Sequence, residues 1–205
     1  MGTRTSMPDG SGEKKEYGPI IIARHGKPAL DRNAGPRLSW EDYVDWWARY
    51  EAGSLAEGQT APDGLKEAVK DADVLLTSVR PRAKETMASA RPGAEPDSLP
   101  LFNEAPLPPP KWKRARLLPK RWNVIARIAW AFGHTLGDET IDESKQRASD
   151  AAKYLHEQAA NGKVFLAAHG WFNRMIRKEL RALGWQVVHD EGDRYWGYRK
   201  YIYRN

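Results

Sequence analysis

The sequence predicts an α/β fold: a three-layer α/β/α sandwich around a largely parallel central sheet. Three observations point to it. Apolar runs of strand length, at 20–23, 74–76 and 164–168, alternate with longer segments of helical period. The runs are uninterrupted, as expected of strands buried on both faces. Strand and helix in alternation favour parallel pairing with helices on either side of the sheet. At 205 residues the chain is long enough for one such domain and a core that needs no staples.

Each element has its own signal. Residues 1–18 are polar, with Gly, Ser and Lys and no apolar signal-peptide segment, so a disordered leader is expected there and a single domain over 19–205. Residues 20–23 make the first strand; Arg24 and His25 stand at its carboxyl end, and Gly26 and Pro28 turn the chain away. Over 38–53, Trp40, Tyr43, Val44, Trp47 and Tyr50 recur at helical spacing, Ser39 and Asp42 resemble a capping box, and Gly53 is a stop. A turn-rich loop over 58–63 leads to a helix over 62–70, with Pro62 in its first turn. The next strand lies within 73–79 and ends at Ser78, before Arg80, Pro81 and Arg82; a helix over 81–90 follows. Residues 99–102 are expected as an edge strand that delivers Asn103 and Glu104.

Residues 105–111 hold four prolines, which excludes regular helix or central strand. Lys111, Lys113, Arg114, Arg116, Lys120, Arg121 and Arg127 follow with no acid among them, and Trp122, Ile125, Ile128, Ala129 and Phe132 give 119–134 a helical period. The stretch 105–134 therefore reads as an insertion over the sheet edge. A helix over 142–160 ends at Asn161-Gly162, the strand 164–168 runs into His169-Gly170, and a helix over 171–183 closes at Gly184. Alternating bulky residues over 195–203 suggest a last strand.

Composition narrows the chemistry. With no cysteine, disulfides, thiolate catalysis and Cys-ligated metals are excluded. No apolar run reaches the length of a membrane span, and a cytoplasmic protein is expected. The net charge of +6 favours an anionic ligand. Nine Trp are expected mostly in the core. No recognised nucleic-acid motif accompanies the positive charge, so nucleic acid is not the expected partner. His134, His156 and His189 read as a helix-end, a solvent-facing helix and a loop residue, and no metal-ligand spacing is present.

Two strands end in His-Gly, at His25-Gly26 and His169-Gly170, and a third ends beside Arg80 and Arg82. Ligands of open α/β sheets bind at that edge. Imidazoles and guanidiniums gathered there need an anion, and the Arg fork matches phosphate. No Walker loop is present, so the expected ligand is a phosphoryl group outside that motif.

The residues 22–26, Ile-Ala-Arg-His-Gly, resemble the signature of the histidine phosphatase superfamily, which includes the phosphoglycerate mutases. The likeness continues through Ser78…Arg82-Ala83…Thr86, Leu101-Phe102-Asn103-Glu104, Glu143-Ser144 and Ala168-His169-Gly170, in the family's order. It implies a phosphoglycerate mutase-like fold and a metal-independent, cofactor-free phosphatase that hydrolyses a small phosphomonoester through a phosphohistidine. It implies that His25 is the nucleophile, that Arg24, Arg82 and His169 hold phosphoryl oxygens, and that Glu104 is the general acid and base. Arg80 is the alternative to Arg82; Ala83 and Thr86 at the matching spacing favour Arg82. Lys27, Arg80 and Lys111 are further candidates for substrate contact. The alternatives are a mutase-type phosphotransferase or a silent anion-binding protein on the same fold. The family's Gly-rich, aromatic segment after the acid is replaced here by prolines and basic residues.

Overall fold

The computed structural model describes residues 16–204. Six strands form one sheet: β1 (Ile20–Arg24), β2 (Val74–Thr77), β3 (Asp97–Ser98), β4 (Val164–Ala168), β5 (Trp185–Asp190) and β6 (Tyr198–Tyr203). Six α-helices surround it: α1 (Trp40–Ala52), α2 (Asp63–Val69), α3 (Pro81–Ala90), α4 (Pro119–Ala131), α5 (Ile141–Gln158) and α6 (Gly170–Ala182). The strand order is β3-β2-β4-β1-β6-β5. β1, β2, β3 and β4 pair in parallel, and β6 and β5 add an antiparallel edge. The α/β class and the largely parallel sheet follow the expectation.

The pleat sorts β1 between two cores. Ile20 and Ile22 pack with α5 and α6, through Ala148, Leu155, Phe172 and Ile176. Ile21 and Ala23 pack with α2 and α3, through Leu65, Val69 and Met87. Alternate residues of one fully apolar strand thus serve both helix layers, which is why the run shows no alternation of its own. A third cluster, Leu38, Tyr43, Trp46, Tyr50, Leu107, Trp122 and Ala126, joins α1 to α4. The proline-rich and basic stretch is therefore anchored: its Leu117 pairs with Leu38, and the indole N–H of Trp122 donates to the Leu38 carbonyl.

Several elements differ from the expectation. The edge strand is Asp97–Ser98, and Pro100–Phe102 forms a 3₁₀ turn, because Pro100 cannot donate to a sheet ladder. β5 was not expected, since its only fully buried side chain is Trp185 and it carries no strong alternation. His189 lies on β5, stacked on Tyr198, and is not a loop residue. His156 is half-buried against Tyr17, Trp185 and Tyr203, and does not face solvent. In α1 the buried row is Tyr43, Trp46 and Tyr50, and Val44 is exposed. The expected leader lies outside the described residues over 1–15; Tyr17 and Gly18 belong to the fold, with the Gly18 N–H donating to the Ala159 carbonyl.

Candidate active site

Register brings the two histidines together. β1 and β4 pair with Arg24 opposite Ala168, so His25 and His169 are the next residues on adjacent parallel strands. The His25 N–H donates to the Ala168 carbonyl, and the two rings lie 5.2 Å apart. β2 pairs one strand further, which puts Ser78 beside them. The glycines after each histidine supply room; neither has a left-handed backbone. A Cβ on Gly26 would stand 2.5 Å from the Trp196 ring, and one on Gly170 would stand 3.0 Å from Arg24 Nε.

Each imidazole has an assigned tautomer. His25 Nδ1 lies 2.7 Å from the Gly26 carbonyl, an acceptor, so Nδ1–H donates. His25 Nε2 then carries the lone pair, and Arg82 Nε donates to it at 3.2 Å. Arg82 Nη2 donates to His169 Nδ1 at 3.2 Å, so His169 Nε2–H donates to Ser78 Oγ at 2.7 Å. Burial, and next the Arg82 charge, hold both histidines well below the usual imidazole range, so both are neutral.

Arg82 is fully buried and its donors are spent inside the protein. Nη1 donates to the Tyr50 and Glu51 carbonyls, and Nη2 to Glu51 Oε1 at 2.6 Å. Glu51, near the end of α1, also pairs with Arg80 Nε at 3.0 Å. Sequence reasoning missed this carboxylate; its helical phase beside Tyr50 and Trp47 was the only signal. Thr86 Oγ1 accepts from the Gly26 N–H and donates to the Arg82 carbonyl, tying α3 to the turn after β1. Arg24 Nη1 donates to the Asp193 carbonyl at 2.6 Å, its guanidinium lies 4.1 Å from the Tyr195 ring, and its buried Nε has no hydrogen-bond partner among the described residues.

Glu104 sits at the amino end of α6. Its carboxylate accepts the N–H of Trp171 at 3.1 Å and of Phe172 at 2.9 Å, with the Ala105 N–H at 3.1 Å. It thereby satisfies helix donors that His169, the residue before the helix, leaves open. Glu143 is used differently: it makes a capping box with Thr140 at the start of α5.

A cavity of about 610 Å³ opens over this group. His25, Arg24, Arg82 and Glu104 line it; His169 is fully buried behind them. Further cations, Arg32, Lys120, Arg127 and Arg174, complete its wall beside Trp47, Leu107, Val124, Ile128 and Trp171. Three expected substrate contacts fall elsewhere. Lys27 is exposed with its ammonium 3.9 Å from Asp31, Arg80 pairs with Glu51 outside the cavity lining, and Lys111 lies over Trp40 at a separate surface depression. Local ion pairs and ring contacts hold these three side chains there. The basic run does contribute, through Lys120 and Arg127; Arg127 donates to the Ala105 and Pro106 carbonyls and so holds the proline-rich wall in place. His134, past the end of α4, holds the same wall through the Pro109 carbonyl. The loop between β5 and β6 delivers Asp193, Tyr195 and Trp196, where a longer last strand was expected. Among the described residues no group of three or more His, Asp or Glu side chains is placed to hold a metal ion.

A family model for the histidine phosphatase superfamily (branch 1) matches residues 20–191. The chain belongs to this superfamily. Among solved structures, a mutant phosphoserine phosphatase from Entamoeba histolytica in complex with phosphoserine is similar at a TM-score of 0.60 and 14% identity, over 91% of each chain. The same organism's phosphoserine phosphatase with 3-phosphoglyceric acid gives 0.55 at 14% identity over 80% of each chain. A phosphoglycerate mutase from Bacillus anthracis gives 0.53 at 17% identity over 84% of each chain. These likenesses establish a phosphoglycerate mutase-like fold for this histidine phosphatase superfamily member. No curated protein sequence matches it. No helix among its described residues is long and apolar enough to cross a membrane.

Proposed function

We propose that the chain is a phosphatase that cleaves a phosphomonoester through a phosphohistidine on His25, without a metal. One observation carries the reading: His25 is a neutral imidazole whose Nδ1–H is held by the Gly26 carbonyl, which leaves the Nε2 lone pair at the floor of a cationic cavity. In the first step Nε2 forms a bond to phosphorus while the ester P–O bond breaks, and the Glu104 carboxyl gives its proton to the departing oxygen. In the second step the Glu104 carboxylate takes a proton from water, the water oxygen bonds to phosphorus, and the P–N bond breaks. Dividing one displacement into two lowers each barrier, and fixed cations stabilise charge that develops on the phosphoryl oxygens.

Arg24 serves those oxygens through its unpaired Nε. Arg82 Nε already points at Nε2 from 3.2 Å, so the oxygens of a phosphoryl group carried on that nitrogen would take over this donor. His169 lies behind Arg82 and keeps its guanidinium oriented. Release of phosphate from an aryl phosphate in the presence of chelator tests the reading. His25→Ala is expected to lower kcat/KM by at least about 10³-fold, and turnover at the parent level would overturn it. Transfer of the phosphoryl group to an added alcohol acceptor in place of release would make the chain a mutase-type phosphotransferase.

A further inference from the structure

The outer face of α4 carries a row of exposed apolar side chains. Val124 is 56% exposed, Ile128 is 54% exposed, and Phe132, just past the helix end, is 89% exposed. Four-residue spacing sets them one above the next along the helix. The opposite side of α4 is already buried through Trp122, Ala126 and Trp130, so core packing does not account for the exposed row. Two of its members, Val124 and Ile128, also line the cavity that holds His25. The row therefore begins inside the cavity and runs out to solvent at Phe132. Lys120, four residues before Val124, lines the same cavity at the other end of the row. A cavity of about 610 Å³ is the size that accepts a drug-sized ligand, well beyond a lone phosphoryl group.

We infer that the substrate is an amphiphilic phosphomonoester, whose phosphate sits at His25 and whose apolar chain lies along Val124, Ile128 and Phe132. This rests on the phosphatase reading of the same cavity. The occupant is a chain of the substrate because the row is continuous with the cavity. A second protein would need a patch of roughly 800 Å² on each partner, more than three side chains on one helix provide.

The test compares butyl and decyl phosphate, both below the concentration at which decyl phosphate forms aggregates. One fully buried methylene is worth about fourfold in affinity, and a chain on a half-open face keeps part of that. The expected kcat/KM is at least about tenfold higher for decyl phosphate. Ile128→Asp is expected to remove this preference. Phe132→Asp, outside the cavity, is expected to lower the decyl-to-butyl turnover ratio at least about threefold. Equal turnover of the two esters by the parent chain overturns the inference and leaves the phosphatase reading intact. So does a decyl preference that neither substitution alters, or a Phe132→Asp change that only shifts oligomeric state. Quenching of tryptophan fluorescence, with Trp47 and Trp171 in the cavity wall, separates the two readings. Tight decyl phosphate binding that depends on Ile128, without phosphate release, would support the chain site and sink the phosphatase reading. Absence of both binding and release would sink both.

Discussion

Arg82 offers five N–H groups and gives all of them to protein acceptors: two imidazole nitrogens, two carbonyls and the Glu51 carboxylate. One buried guanidinium thus bridges both site histidines, donating to each at 3.2 Å. Glu51 is what makes it tolerable to bury, since an unpaired charge in this position would be costly. Glu51→Ala is expected to destabilise the fold by about 3–5 kcal/mol, read as a lower urea midpoint, while Glu51→Gln, which keeps an acceptor for Arg82, is expected to lose less. An unchanged midpoint for Glu51→Ala would mean that water replaces the carboxylate. Of its nitrogens only Nε faces the nucleophile, because Nη1 and Nη2 are held by Tyr50, Glu51 and His169. That role was not legible along the chain, because Glu51 and Arg82 are 31 residues apart and meet only where the end of α1 reaches the first turn of α3.

At the scale of elements, helix starts were the most legible feature. Ser39 and Asp42 form the full capping box at the head of α1, with the Ser39 hydroxyl accepting the Asp42 N–H at 3.1 Å and Asp42 accepting the Ser39 N–H at 3.2 Å. Ser39→Ala is expected to cost about 1 kcal/mol, seen as a lower melting temperature, and no shift would show that α1 is held by its aromatic face alone. Capping is local chemistry within four residues, so sequence alone reveals it. Faces and edges were less legible. The choice between Val44 and Trp46 as the inward residue of α1 depends on where Trp122 of α4 stands, and the 3₁₀ turn before Glu104 depends on Pro100. β5 forms because β6 offers it an antiparallel ladder from Trp185–Tyr203 to Asp190–Arg199.

For the whole molecule, the buried site sets the response to acid. Both histidines have folded pKa values well below the ordinary imidazole value. The unfolded chain therefore binds protons first as pH falls through about 6.5, and stability is full above that pH and lost below it. Each histidine contributes up to about 1.4 kcal/mol per pH unit while it stays neutral in the fold, so stability at pH 5.5 is expected to be lower than at pH 7.5. Denaturant unfolding at the two pH values measures this, and a flat profile would mean that the imidazoles are solvated or charged in the folded state. The carboxylates held low by hydrogen bonds, such as Asp31 and Asp42, add their loss only below the ordinary carboxylate range.

Sequence by itself determined what depends on short range. Apolar runs of strand length, helical period, caps and the His-Gly strand ends are each written in a few consecutive residues, and the family resemblance follows from their order. Parallel pairing then had little choice but to gather those strand ends at one edge. Only the tertiary structure decided which charges meet there. It set Glu51 against Arg82, moved Lys27 and Lys111 away from the cavity, and turned Lys120, Arg127 and the row from Val124 to Phe132 into a wall beside His25. The physical reason is reach. A side chain's partner across the fold is fixed by how helices dock on the sheet, and nothing within a few residues of that side chain records it.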